Sequence, residues 1–337
     1  MKRIIITAIL IAAMVASYFL LKKDRVTTLD PTETQFAVED ISKIDLIYLR
    51  SRFLNTEAVL NKIDDEWYIN KKFKADPAKV NVLLTAIRDV QVKYPVSKDF
   101  WNPVIKSLAS QGTKVEIYSG KNKLKTYYVG NPTPDHMGTF YWMENAKKPY
   151  VVHIEGFQGY MTPRFFVSEK DWRSKVIFKY TPEEIASVSI SWTENPEQSF
   201  TIDNTSGKPT LISESNPNPI NDNLVRSYLN YFEKLAYEGF PETKTPEQID
   251  SIYHKTDPFA ILTLITTEGD TQELRFHYKE LTRSSYAQLD IEGVQLPFDL
   301  DSYYAFLNQN AVELLQVQDF VFGKVLKQAQ DFSVKKD

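Results

Sequence analysis

Residues 76–90 read DPAKVNVLLTAIRDV, and residues 221–235 read NDNLVRSYLNYFEKL. Each stretch opens on a good helix N-cap, Asp76 in the first and Asn221 in the second. Apolar residues then recur every three or four positions, which is the spacing of one face of a helix. Each stretch therefore predicts an amphipathic helix, and their alignment at a constant offset indicates that a unit occurs twice.

Further matches lie on both sides of the two helices. Upstream, at an offset of 144, the first set is Phe36, Asp40, Ile41, Ile44, Leu46 and Tyr48, and the second is Tyr180, Glu184, Ile185, Val188, Ile190 and Trp192. Downstream, at an offset of 146, the sets are Phe140, Val152, Ile154, Phe157 and Met161, and Tyr286, Phe298, Leu300, Tyr303 and Leu307. Three blocks in register predict two tandem copies, over residues 26–172 and 173–337.

Each copy is predicted to be α+β, because short strands lead into a helix and then into a run of hairpin-linked strands. A second, shorter helix is expected near 100–110 and 246–254. A four-strand meander then follows at 113–119, 123–129, 138–143 and 149–154 in copy one, and at 260–267, 271–278, 284–290 and 294–298 in copy two. A closing helix is expected near 155–162 and 299–309, and a last helix after Phe320.

The N-terminal segment Ile4–Leu21 carries no charge over 18 residues and has basic residues on both sides. As a helix it would be about 27 Å long, close to the roughly 30 Å hydrocarbon core of a bilayer. We predict a transmembrane anchor over residues 1–25, with the soluble part on the outer side of the membrane. The alternative is a cleaved signal peptide, since residues 13–17 are small enough for a peptidase.

Composition excludes several classes of protein. The chain has 42% hydrophobic and 25% charged residues, which is typical of a folded globular protein, and it has no cysteine. Disulfides and cysteine–zinc sites are therefore excluded. Residues 26–337 hold 35 basic and 43 acidic side chains, a formal charge of −8. Such a surface lacks the basic footprint that nucleic acid requires.

No sequence motif identifies a catalytic, cofactor-binding or metal-binding residue. The phosphate-binding glycine loops, the nucleophile elbow and the paired-histidine zinc motif are missing. The four histidines have no spacing typical of a metal site. An enzyme would thus have to rely on scattered acids.

One turn is unlike its counterpart in the other copy. Residues 131–138 contain Asp135 and His136, whereas residues 279–285 have neither proline nor histidine. Tyr141 and Trp142 lie on the next predicted strand, 138–143, and Glu144 directly follows it. We take these five residues as binding candidates. The plainer interpretations are that hairpin loops vary freely in sequence, for the turn, and that the aromatic residues pair across strands.

Several short segments resemble an uncharacterised bacterial envelope family, domain of unknown function 4340. They are Phe36 with Ile41-Ser-Lys-Ile44, Glu66-Trp67-Tyr68-Ile69, Ala75-Asp76 with its Val80–Leu83–Leu84 run, Tyr128-Val-Gly130, Tyr150-Val151-Val152 and Asp171-Trp172-Arg173. The resemblance implies an N-terminal membrane segment and a gene often found near gliding-motility-type ABC transporter components. It implies no catalytic residue.

These observations favour a membrane-anchored, non-enzymatic binding or scaffold module. Its partners would be the membrane through residues 4–21, and ABC transporter subunits or other envelope proteins. No cofactor is expected. Two alternatives stay open: an envelope polysaccharide hydrolase that uses acids such as Asp135 or Glu144, and an accessory protein that binds lipid or solute.

Overall fold

A computed structural model describes residues 30–214, 219–241, 243–281 and 293–334. The chain forms two compact units, which divide between Ser174 and Lys175. The predicted anchor, Ile4–Leu21, lies outside the described residues. Within the described ranges, no helix is long and apolar enough to cross a membrane.

Between residues 30 and 174, the first unit contains four α-helices and nine strands. The helices are α1 (Pro31–Thr34), α2 (Pro77–Asp89), α3 (Trp101–Gln111) and α4 (Glu169–Trp172). The strands are β1 (Leu46–Ser51), β2 (Thr56–Ile63), β3 (Glu66–Ile69), β4 (Phe73–Lys74), β5 (Val90–Pro95), β6 (Thr113–Ser119), β7 (Asn122–Pro132), β8 (Thr139–Met143) and β9 (Tyr150–Ile154).

All nine strands join one antiparallel sheet in the order β4-β3-β2-β1-β6-β7-β8-β9-β5. Helix α2 packs on one face of this sheet, since its Val80, Leu83 and Ile87 share a buried core with the inward residues of the strands. The helix begins as its sequence predicts: the Asp76 carboxylate accepts a hydrogen bond from the Ala78 amide (2.9 Å), and a proline follows the cap.

Helix α3 packs on the opposite face. Side chains alternate along β7, so that Tyr127 and Val129 join the core while Tyr128 and Gly130 face the other way. Leu108 of α3 lies directly over Gly130, where a Cβ atom would come within 2.4 Å of its Cδ2. A methyl group at position 130 would therefore force Leu108 to move, so the lack of a side chain there lets the helix lie this close to the sheet.

The second unit contains three helices and nine strands in its described residues. The helices are α5 (Asp222–Leu229), α6 (Pro246–Lys255) and α7 (Asp319–Phe322). The strands are β10 (Val176–Phe178), β11 (Ile185–Trp192), β12 (Phe200–Asp203), β13 (Thr210–Ile212), β14 (Leu235–Ala236), β15 (Ala260–Thr266), β16 (Thr271–Glu280), β17 (Phe298–Leu307) and β18 (Leu315–Gln318).

Seven of these strands form a sheet in the order β13-β12-β11-β15-β16-β17-β18, and β10 pairs with β14 separately. Helix α5 contributes Val225, Tyr228 and Leu229 to the main core. Helix α6 covers part of the other face, where Ile249, Ile252 and Tyr253 pack on a small cluster of Tyr304, Phe306 and Leu314.

Each unit has one main helix, α2 in the first and α5 in the second. A backbone hydrogen bond from the residue at its N-cap fixes the start of this helix in the same way in both units. The Asp76 amide donates to the Trp172 carbonyl (2.8 Å), and the Asn221 amide donates to the Phe332 carbonyl (2.8 Å). In each unit, therefore, the C-terminal segment of that unit binds the start of the main helix.

The predicted α+β class and the antiparallel meanders are confirmed, but three element predictions are wrong. Residues 155–162 form no α-helix; only a 3-10 turn follows, at Thr162–Arg164. Residues 299–309 lie mainly on the strand β17, because both faces of this run are partly buried and it is rich in aromatic residues. Of the strand predicted at 294–298, only Phe298 lies in a strand, as the first residue of β17, and the strand predicted at 284–290 lies outside the described residues.

The downstream block of matches is therefore out of register. Val152 and Ile154 lie on β9, whereas Phe298 and Leu300 lie on β17, which pairs with β16 as β8 pairs with β7. The strand after β17 in the second meander is β18, at Leu315–Gln318. The helix expected after Phe320 is a four-residue turn of helix, α7.

Candidate functional site

The turn between β7 and β8 holds Asp135 and His136 in a self-contained loop. The Asp135 carboxylate accepts hydrogen bonds from the Thr133 hydroxyl and from the Met137 amide (3.1 Å), and these bonds lower the pKa of Asp135. His136 has a positive φ of 56° and lies 5.5 Å from the ring of Tyr160. Asp135 is thus an ionised acceptor that holds the turn.

An open cleft of about 340 Å³ lies between this turn, the end of β5 and the start of α3, and we call it the apolar cleft. The Trp101 indole donates to the Val96 carbonyl (2.7 Å), which holds the start of α3 against β5. The lining residues are mostly apolar: Tyr94, Val96, Ser97, Phe100, Val104, Thr133, Pro134, Asp135, Phe140 and Val151. Two aromatic side chains at the cleft remain exposed, Phe100 at 61% and Tyr94 at 44%.

Tyr141 is part of the core. Its side chain is fully buried and stacks on Tyr127 at 5.3 Å, with Phe36 against the edge of both rings. Neither the Tyr127 nor the Tyr141 hydroxyl has a hydrogen-bond partner among the described residues. Burial raises the pKa of both phenols. Tyr141 therefore makes no contact with solvent or with a ligand in this arrangement.

Trp142 and Glu144 lie together on the face of the sheet that also carries α3, which we call the outer face. Trp142 stacks on its cross-strand neighbour Tyr128 at 5.1 Å. Lys114 bridges Glu144 (3.1 Å) and Glu116 (2.8 Å). Burial opposes ionisation of Glu116, but hydrogen bonds from Lys114 and Tyr118 outweigh it and lower the pKa of Glu116. The structure thus brings Trp142 and Glu144 to one face and separates them from Asp135 and His136.

A second cleft, of about 520 Å³, lies in the second unit between α6 and the β16–β17 hairpin, and we call it the polar cleft. It occupies the place that the apolar cleft has in the first unit, between the helix before the meander and the second hairpin of the meander. Its lining residues are Lys244, Gln248, Ser251, Ile252, Thr256, Asp257, Tyr278, Lys279, Glu280, Pro297, Phe298 and Tyr304.

Two ion pairs lie at the polar cleft, to which Lys244, Lys279 and Glu280 contribute lining atoms but Asp299 does not. Lys279 and Asp299 lie 2.7 Å apart with side chains only 8% and 5% exposed. Lys244 pairs with Glu280 at 2.5 Å, and the Tyr304 hydroxyl also donates to Glu280 (3.1 Å). Burial opposes ionisation of Glu280, but the hydrogen bond from Lys244 outweighs it and lowers the pKa of Glu280.

His277 lies beside the polar cleft on β16, with only 2% of its surface exposed. The Thr256 hydroxyl donates to the Ile252 carbonyl (2.6 Å) and lies 2.9 Å from Nδ1 of His277. Because that hydroxyl proton is already used, Nδ1 carries the proton and donates to Thr256. Nε2 is then an acceptor, and it has no partner among the described residues. Burial, with Arg275 nearby, lowers the pKa of His277 to about 4.

The sequence did not single out the polar cleft. Lys279 and Glu280 begin the stretch 279–285, which was noted only for lacking the proline and histidine of its counterpart. Asp299 lies in the run that was predicted to be a helix. The alternation of charged and aromatic residues along 275–280 could have predicted part of the polar cleft, because this pattern places His277 and Lys279 on the same face of a strand. Across the ranges that the structure describes, no group of acidic or histidine side chains could hold a metal ion.

Comparison with known proteins gives one result. A family model described as "Domain of unknown function (DUF4340)" matches residues 67–251, more than half of the chain. The matched range covers α2, the first meander and the start of the second unit, and so includes the apolar cleft and the outer-face residues. No curated protein and no solved structure matches the chain.

Proposed function

Given that this chain belongs to the DUF4340 family, we propose that it is a membrane-anchored, extracytoplasmic binding module that acts by contact with a partner protein. In this proposal Ile4–Leu21 holds the protein in the inner membrane, and the two units lie on the periplasmic or outer side. The partner is a membrane protein, with ABC transporter subunits as the first candidates.

The apolar cleft is the observation that carries the proposal. Aromatic side chains that stay partly exposed forgo hydrophobic stabilisation, and side chains such as Phe100 and Tyr94 are typical anchors of protein interfaces. The cleft is open and shallow enough to accept one or two apolar side chains from another protein. Its one acidic lining residue, Asp135, is already engaged within its own turn.

The carboxyl groups of Asp135, Glu116 and Glu280 do not suit the hydrolysis of polysaccharide. A glycosidase needs one carboxyl group with a raised pKa to donate a proton to the leaving group. Asp135, Glu116 and Glu280 all have lowered pKa values. Such carboxylates accept hydrogen bonds and do not act as proton donors near neutral pH.

Site-specific crosslinking in living cells tests the proposal with the full-length protein. A photoreactive phenylalanine at Phe100 is expected to trap an integral membrane protein, which mass spectrometry would identify. The same probe at Phe53, which is 71% exposed on the β1–β2 turn outside the cleft, is the matched control. Equal yields from both positions, or adducts that survive Val104→Asp, would overturn the assignment of the cleft.

We infer also that the two units are copies of one ancestral unit. Two observations support this inference. The order of elements is shared, and in each unit the C-terminal segment accepts a hydrogen bond from the N-cap residue of the main helix, Asp76 or Asn221. The register of this duplication changes after β16, where more residues separate β16 from β17 than separate β7 from β8. Divergence of the two copies would account for one apolar and one polar cleft at the same place.

A further inference from the structure

We propose that a small cavity on the outer face of the first sheet binds a phosphate group, and we call it the anion cavity. It lies between β1, β6, β7 and the C-terminal end of α3, and its volume is about 180 Å³. Sites that bury drug-sized ligands measure roughly 300–1,000 Å³, so the ligand of this cavity must be small. Its lining residues are Tyr48, Arg50, Arg52, Ala109, Gly112, Lys114, Glu116 and Tyr128.

The strand register brings three positive charges together at the anion cavity. Arg50 of β1 lies directly opposite Lys114 of β6, and Arg52 follows two residues later in the turn after β1. Like charges directly opposite each other on neighbouring strands destabilise a sheet. An anion bound between these side chains would replace their mutual repulsion with attraction.

The charge of Lys114 is already balanced by carboxylates. Lys114 bridges Glu116, which lines the cavity, and Glu144, which does not. Glu116 also accepts a hydrogen bond from the Tyr118 hydroxyl and lies 3.9 Å from the Lys123 ammonium group. These two carboxylates are therefore engaged by side chains of β6 and β7, and they leave the charges of the two arginines unbalanced.

Neither arginine has a carboxylate partner within 4 Å in the part of the chain that the structure describes. Arg50 is in contact with the Tyr48 hydroxyl, which is neutral and does not balance its charge. Glu57 lies opposite Arg50 on β2, but its carboxylate accepts the hydrogen bond from that same hydroxyl. Both arginine side chains are exposed, so a ligand can reach them from solvent.

Charge and geometry favour a phosphate group over other small ligands. Two unbalanced guanidinium charges match a phosphate monoester, which carries about 1.5–2 negative charges near pH 7, better than a carboxylate, which carries one. The planar fork of a guanidinium group donates two parallel hydrogen bonds to phosphate oxygens. The C-terminal end of α3 opposes an anion, but a helix end carries only about half a unit charge, less than the two arginines supply.

The test is isothermal titration calorimetry of the full-length protein in a non-ionic detergent, with inorganic phosphate, glycerol 3-phosphate and acetate as probes. Arg50→Gln/Arg52→Gln removes both unbalanced charges. The matched control, Lys98→Gln/Lys121→Gln, removes two positive charges at exposed positions outside the cavity lining. Glu116→Gln removes the carboxylate from the lining and so adds one unit of positive charge to the cavity.

We expect a phosphate probe to bind with a Kd below about 5 mM, and acetate to bind about tenfold more weakly or worse. The arginine variant should weaken phosphate binding about tenfold or more, whereas the lysine control should leave it within about twofold. Glu116→Gln should strengthen it about threefold or more. Binding of glycerol 3-phosphate would show that the site takes a phosphate monoester, and binding of inorganic phosphate alone would show that it takes the free ion.

The proposal is overturned if neither phosphate probe binds, if acetate binds as tightly as phosphate, or if the arginine variant binds phosphate like the wild type. It is also overturned if Glu116→Gln does not strengthen binding, or if the lysine control weakens it as much as the arginine variant, because overall charge would then explain the effect. Crosslinking from Phe100 is unaffected by any of these results, since the anion cavity and the apolar cleft share no lining residue. The two proposals therefore fail separately.

Discussion

Tyr127 and Tyr141 of the first unit have buried hydroxyl groups with no partner in the part of the chain that the structure describes, and the cost of this arrangement can be measured. A buried hydroxyl that makes no hydrogen bond costs about 1–3 kcal/mol. Tyr141→Phe should therefore raise the free energy of unfolding of the first unit by about 1 kcal/mol. Native-state hydrogen exchange of the β7 and β8 amides measures this change for the first unit alone.

The matched control is Tyr228→Phe in the second unit. The Tyr228 hydroxyl is also buried, but it donates to the Val325 carbonyl (2.6 Å). Its removal leaves that carbonyl without its donor and should lower the free energy of unfolding of the second unit by about 1 kcal/mol or more. Equal destabilisation by both changes would mean that the Tyr141 hydroxyl is bonded after all.

His277 should make the second unit sensitive to mild acid. Its pKa is about 4 in the folded protein and near 6.5 in an unfolded chain, so the unfolded state binds the proton first as the pH falls. Above pH 6.5 His277 is neutral in both states and does not lower the free energy of unfolding. As the pH falls from 6.5 towards 4, the free energy of unfolding of the second unit decreases by up to about 3 kcal/mol.

Hydrogen exchange of the β16 amides at pH 7 and pH 5 would measure this loss. His277→Gln, which cannot titrate, should show a smaller loss than the wild type over the same interval. An imidazole NMR titration gives the pKa directly, with the His277 signal assigned by its absence from the variant. A midpoint above pH 6 would contradict the prediction.

At the scale of elements, the contact between α3 and β7 depends on Gly130. Gly130→Ala would place a methyl group 2.4 Å from Leu108 Cδ2 and 3.2 Å from the Phe140 carbonyl oxygen. Overpacking of this kind costs about 1–3 kcal/mol. Exchange of the β7 and β8 amides should report that loss, and adding Leu108→Ala should recover part of it.

Gly239 is the matched control for this substitution. A Cβ atom there would meet only the end of the Lys175 side chain, at 3.9 Å. Gly239→Ala should therefore change stability by less than about 0.5 kcal/mol, or raise it slightly by restricting the unfolded chain. If Gly130→Ala were equally harmless, α3 would have room to move away from the sheet.

The elements that the sequence predicted well are those with a clear period. The strand at 113–119 and the helices at Asp76, Asn221 and Thr245 have an alternating pattern or a capping residue that acts locally. The run 298–307 was mistaken for a helix because both of its faces are partly buried, and such a run has no period to distinguish strand from helix. The alignment of the downstream block, residues 140–161 with 286–307, is out of register for the same reason.

The candidate site was less predictable than the fold. Tyr141 and Trp142 are neighbours in sequence, yet strand alternation places one in the core and the other on the outer face. The polar cleft depends on Lys279 and Asp299, which are 20 residues apart and meet only because β16 and β17 pair. No local pattern reports such a pairing, and in a single sequence charged residues in strands look like solvated positions.

At the scale of the whole molecule, each unit has what a separate domain needs. The larger core of each unit is made of its own residues alone, within 36–172 in the first and 177–332 in the second. Each unit also supplies the segment that closes its own main helix. Residues 26–174 and 175–337, produced separately, should therefore each fold and unfold cooperatively.

The closing segments give this prediction a sharper form. Trp172 is fully buried and its carbonyl accepts from the Asp76 amide, so a first unit that stops at residue 164 should lose cooperative unfolding. Phe332 has the equivalent place against Asn221 in the second unit. A second unit that stops at 318 should therefore fail in the same way, whereas one that stops at 334 should fold. Calorimetry of the five fragments measures the outcome. A first unit that unfolds cooperatively without residues 165–174 would mean that the closing segment is not needed for the core, and the equivalence that we infer between the two units would lose its main support.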